Sequence, residues 1–93
     1  MIKSFKNTNL KRFFDQGNAA ALPAGQTEQI SDVLAAIDTA KEPSEVGLFP
    51  GWRLHPLKGD LKGFWSVTIT GNWRVIFRFV DGDAFDVDLV NYH

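Results

Sequence analysis

Three runs of alternating apolar and polar residues, 64–70, 73–80 and 84–90, are separated by Gly71-Asn72 and Asp81-Gly82. Such dipeptides favour tight turns between antiparallel strands, because Gly, Asn and Asp tolerate the positive φ that hairpin turns need. A chain with this pattern is committed to an antiparallel meander. Register then decides what each face carries, since a slip of one residue moves every side chain to the other side. Two-residue hairpins at both turns put Arg74 and Arg78 among Trp65, Val67, Ile69, Phe85, Val87 and Leu89. Each unpaired guanidinium buried there costs several kcal/mol. A one-residue offset at each turn, such as a type I turn with a glycine bulge, removes the conflict. Val75, Phe77 and Phe79 then join the apolar face, and Ser66, Thr68, Arg74, Arg78, Asp86 and Asp88 line the other.

The first half reads differently. Residues 1–5 alternate and predict a short first strand. Asn7 or Thr8 caps a short helix that runs to about Gln16, with Leu10, Phe13 and Phe14 on one face and Gly17 ending it. Pro23 is placed to open a second helix extending to about Lys41, whose Ile30, Val33, Leu34 and Ile37 form one buried stripe. Residues 42–51 read as a loop and 52–57 as a short strand interrupted by Pro56. On that strand Arg53 and His55 oppose Leu54, and Tyr92 has the parity of Asp86 and Asp88. The predicted class is α+β: a strand, two helices, then a four-strand antiparallel meander with the helices on one face. Trp52, Trp65 and Trp73 are assigned to core and sheet-edge packing.

Composition narrows the function. At 93 residues the chain is expected to form one domain, 1–93, with a stability of order 5–10 kcal/mol. It has no Cys and two His, so thiolate chemistry is excluded and an all-protein zinc centre is not expected. No apolar run approaches the roughly 20 residues of a membrane span, so no membrane association and a cytoplasmic location are expected. Ten Lys and Arg against eleven Asp and Glu give a net charge of −1, but the charges are segregated. Residues 53–78 hold five cations (Arg53, Lys58, Lys62, Arg74 and Arg78) and one acid, Asp60, whereas residues 81–93 hold four Asp and no Lys or Arg. A basic centre of this kind binds phosphates by charge pairing and counterion release.

Three segments carry the chemistry: Arg53-Leu54-His55-Pro56-Leu57-Lys58-Gly59-Asp60, Asn72-Trp73-Arg74 and Asn91-Tyr92-His93. Each alone is a weak signal. Together they resemble the HigB-type toxins of the RelE superfamily, ribosome-dependent mRNA endonucleases of bacterial toxin–antitoxin modules. The resemblance covers nearly the whole chain, from Met1-Ile2-Lys3-Ser4-Phe5-Lys6 through Leu34-Ala35-Ala36-Ile37-Asp38. It is tightest in Leu54-His55-Pro56-Leu57-Lys58-Gly59-Asp60, Trp65-Ser66-Val67, Asn72-Trp73-Arg74-Val75, Asp81-Gly82-Asp83-Ala84 and Tyr92-His93.

That resemblance implies a compact mixed sheet whose concave basic face receives mRNA in the A site of the 30S ribosomal subunit. It maps the catalytic residues onto His55, Lys58, Arg74, Tyr92 and His93. The cations Arg53, Lys58, Lys62, Arg74 and Arg78, with Asn91, are expected to hold RNA. It also implies a HigA-type helix-turn-helix antitoxin, with operator DNA bound only through the complex. No metal or other cofactor is called for, because two His, a Tyr and fixed cations can move the protons and neutralise the phosphate. One of His55 and His93 is the general base and the other the general acid, and the sequence leaves the order open. The family commonly has Asp where this chain has Asn91. An amide takes no proton as a carboxylate does, so Asn91 is expected to orient His93 or to hold RNA. Two other readings compete: a non-catalytic ParE-like inhibitor of DNA gyrase on the same fold, and an inactive module that only binds antitoxin.

Overall fold

The structure, a computed structural model, describes residues 1–91. The order of elements is α1 (Thr8–Gln16), α2 (Thr27–Thr39), α3 (Pro43–Val46), β1 (His55–Pro56), β2 (Trp65–Thr68), β3 (Trp73–Val80) and β4 (Asp83–Asn91), with a 3₁₀ turn at Gly59–Leu61. The four strands form one antiparallel sheet in the order β1-β2-β3-β4.

α1 begins where the sequence places it. The Asn7 side chain accepts a hydrogen bond from the Leu10 amide, and Gly17 closes the helix in the left-handed region at φ 73°. Asn7→Ala is expected to cost about 1 kcal/mol. The melting temperature should fall by about 4–8 °C, read by thermal circular dichroism; an unchanged midpoint would mean that α1 is held by packing alone.

α2 starts four residues later than predicted and ends at Thr39. Pro23 opens a turn instead, closed by the Gln26 amide on the Pro23 carbonyl with Gly25 at φ +81°. The buried stripe is as expected, with Ile30, Val33, Leu34 and Ile37 at no more than 1% exposure. The expected loop at 42–51 contains α3, nucleated by Pro43 in its first turn and by reciprocal side-chain caps between Glu42 and Glu45.

The first expected strand is present as two parallel bridges to β4, Ile2 to Ala84 and Phe5 to Val87, and is not a continuous ladder. Its break coincides with an irregularity in β4. The β2–β3 register pairs Val67 with Val75 and Thr68 with Arg74, which is the predicted offset. The offset does not come from a glycine bulge, because Gly71 stays outside the left-handed region. Instead the Thr70 hydroxyl accepts from the Asn72 and Trp73 amides, while the Ile69 and Thr70 amides bond the Trp73 carbonyl.

The second turn departs from the prediction. Val80 pairs with Asp83 across a two-residue hairpin whose Asp81 and Gly82 both have positive φ, 50° and 85°. The shift lies inside the strand, where Asp86 and Val87 together face Phe77 and Asp86 adopts φ 55°. Arg74 and Arg78 therefore leave the core as the charge argument requires. Phe85 does not stay in it: it pairs with Arg78 on the open face, and Ala84 takes its place in the core beside Val87 and Leu89. The core lies between the helices and the other sheet face, built on Leu10, the α2 stripe, Val46, Val67, Val75 and Phe77, with Trp52, Trp65 and Trp73 packed against it.

Candidate active site

The predicted strand at 52–57 shortens to His55–Pro56 because Arg53 adopts φ 52°. A left-handed arginine is uncommon and strained, and such residues cluster at functional sites. Its neighbours hold it in place: the Thr68 amide bonds the Trp52 carbonyl at 2.7 Å, and Trp52 stacks on Phe49 with centroids 4.2 Å apart. The Arg53 carbonyl then lies 3.0 Å from Nδ1 of His55. A carbonyl only accepts, so Nδ1 carries a proton, and in the neutral tautomer Nε2 holds the lone pair.

Arg74 stands on β3 beside Thr68. Its Nη1 donates to the carbonyls of Thr70 at 2.6 Å and of Gly71 and Trp73 at 3.2 Å. The β2–β3 turn thus grips one arm of the guanidinium and fixes its plane. Arg53, His55 and Arg74 come together around a cleft of about 440 Å³, completed by Gly51, Thr68, Thr70 and Gly71. It sits on the sheet face away from the helices. Thr70 and Gly51 were not singled out from sequence. Thr70 has the parity of Thr68 and precedes the turn, which is the signal that points to it.

The other predicted residues spread outward from this cleft. Lys58 and Lys62 are exposed and flank the 3₁₀ turn at Gly59–Leu61, outside the cleft lining. Asn91 is exposed at the end of β4, opposite Trp73. Arg78 shares the open face but is engaged with Asp86: Nε and Nη2 each lie 2.9 Å from Oδ2. Phe64 and Phe85 lie about 6 Å from its guanidinium carbon. Asp86 is tied in turn to Ser4, whose hydroxyl accepts from the Asp86 amide at 2.8 Å. That network closes the bulge and docks the amino-terminal segment. Tyr92 and His93 lie outside the described residues. Among the described residues, no helix is long and apolar enough to cross a membrane.

The chain is thus a small helix-backed antiparallel sheet with a polar, arginine-bearing cleft on its open face. Two solved structures share the fold. A YoeB/ParE toxin from Agrobacterium tumefaciens superposes with a TM-score of 0.61 at 20% identity, covering 99% of both chains. YafQ from E. coli gives 0.56 at 11% identity, covering 98% of this chain and 93% of that one. A family model described as the RelE-like toxin of the type II toxin–antitoxin system HigB matches residues 3–93. The chain is 46% identical over 93 residues, all of both chains, to a protein named Endoribonuclease HigB from Proteus vulgaris. It is 31% identical over 90 residues to Toxin HigB-1 of Vibrio cholerae, covering 96% of this chain and 95% of that one. The chain belongs to the HigB-like toxin family, and a type II toxin has a cognate antitoxin as its partner.

Proposed function

We propose that this chain is a ribosome-dependent endoribonuclease that cleaves translated mRNA in the 30S A site, arrests translation and growth, and is neutralised by a HigA-type antitoxin. Operator DNA is bound through the complex, and the work is done in the cytoplasm, where the ribosomes are. The observation that carries this reading is the junction of His55, Arg53 and Arg74 around one cleft, with the His55 ring fixed by the Arg53 carbonyl.

The chemistry follows from that junction. In the neutral ring with Nδ1 protonated, Nε2 of His55 is the basic atom, and we assign to it the removal of the ribose 2′-OH proton. The 2′-oxygen forms a bond to the adjacent phosphorus. The bond from phosphorus to the 5′-oxygen breaks, and His93 supplies the proton that the departing oxygen needs. Arg74, planar and held by the turn carbonyls, places its positive charge beside the five-coordinate phosphate, and Lys58 adds a point charge. Tyr92 stacks on a base, and Asn91 orients His93 or binds RNA. Arg53 and Lys62 extend the positive track for the flanking phosphates. Arg78, paired with Asp86, serves the track chiefly by keeping this face in shape.

Brief induction of wild type and His93→Ala tests the reading, with 5′ ends mapped on a translated mRNA and on an untranslatable copy. New ends are expected only for wild type and only on the translated copy. Cleavage of both copies contradicts ribosome dependence. Toxicity with intact mRNA and accumulated DNA breaks would point to gyrase.

A further inference from the structure

Ser66 is the one buried polar side chain among the described residues that has no hydrogen-bond partner. It is 0% exposed and stands in β2 directly opposite His55, on the cleft side of the sheet. A buried hydroxyl with nothing to bond costs free energy, and an apolar residue of the same size at this position is more stable. Natural structures hold few such groups, and one beside a reacting side chain calls for a functional account. Side chains directly opposite on one face of an antiparallel pair have Cβ atoms about 4.5–5.5 Å apart, within reach of an imidazole.

The His55 ring itself is exposed, and its hydrogen bond runs along its own strand to the Arg53 carbonyl. We propose that Ser66 is a positioning residue for His55: when RNA enters and turns the ring inward, the Ser66 hydroxyl replaces the Arg53 carbonyl as acceptor of the Nδ1 proton. The exchange keeps the tautomer. Nε2 remains the basic atom throughout the turn, and the buried Ser66 hydroxyl gains a partner. This rests on the assignment of His55 as general base.

The test is single-turnover cleavage of ribosome-bound mRNA by the full chain, in a cycle of Ser66→Ala, His55→Ala and the double variant. Ser66→Ala is expected to fold with an unchanged or raised urea midpoint. Its maximal rate should fall about tenfold, with the half-saturating concentration unchanged, as for a group that acts after binding. Ser66→Thr, which keeps the hydroxyl, should recover the rate. In the His55→Ala background the serine substitution should have no further effect, because its target is gone. A wild-type rate for Ser66→Ala overturns the proposal. So does an equal further loss in the double variant, which would show that Ser66 acts elsewhere. If His55→Ala alone cleaves at the wild-type rate, the assignment of the base has failed, and the two failures are told apart by that one variant.

Discussion

Arg74→Ala is expected to lower mRNA cleavage by about 10²–10³-fold, the usual loss when one preorganised donor to the transition state is removed. The size follows from how Arg74 is held. Three turn carbonyls fix Nη1, so the guanidinium does not reorganise as charge builds on the phosphate. Arg74→Lys keeps the charge but lacks the planar fork, so an ammonium held by the turn carbonyls has no second nitrogen arm and should restore a minor part of the rate. Arg78→Ala is the contrast. Its guanidinium is already paired with Asp86, so the loss should be felt mainly in stability. A time course on ribosome-bound mRNA, with urea midpoints for all three variants, separates these effects. Equal cleavage by Arg74→Ala and wild type would remove Arg74 from the chemistry.

The fold was legible wherever a local rule had no competitor. The Asn7 cap, the Gly17 stop and the stripe on α2 depend on neighbours within a turn or two, and they stand as read. The β2–β3 register was legible for another reason: burying Arg74 and Arg78 among apolar side chains is too costly for the alternative register. The same argument fixed which face the arginines occupy in β3 but not where β4 makes up the extra residue. An Asp-Gly pair satisfies a two-residue hairpin without strain, so the turn stays tight and the extra residue moves to Asp86. Period-two counting has no term for such a bulge. Phe85 was misplaced as a result. Pro23 misled in a similar way, since a proline suits the start of a helix and the start of a turn equally well.

Of the candidate site, the sequence offered Arg53, His55 and Arg74, which line one cleft, but not the geometry that joins them. His55 and Arg74 share a cleft because β1 and β3 both pair with β2, which the meander implies. Nothing in the sequence marks Arg53 as left-handed, since arginine has no preference for that region. The ring orientation of His55 that follows from the Arg53 carbonyl was therefore out of reach. Ser66 was visible only as a polar position on the open face. That its hydroxyl is buried and idle is a property of the packed sheet.

Phe77→Ala gives the largest expected loss of stability, about 3–5 kcal/mol. Phe77 has 0% exposure, lies opposite Trp65 and packs edge-on against Phe79 at 5.7 Å between centroids. It also faces Asp86 and Val87 at the bulge, so truncation leaves a cavity at the point where the ladder is already interrupted. Against a total of about 5–10 kcal/mol for so small a domain, that loss should leave a substantial unfolded fraction at 37 °C, read as the shift in urea midpoint. Phe85→Ala makes the measurement a test of register. In the structure Phe85 lies half-buried beside Arg78, so its truncation should cost roughly 1–2 kcal/mol, within the ordinary range for a partly exposed side chain. If the offset were instead made at the Asp81-Gly82 turn, Phe85 would belong to the core and the two variants would be equally damaging. A clear excess for Phe77→Ala places the extra residue at Asp86, and with it the pairing of Asp86 with Arg78 that leaves Arg74 to the cleft.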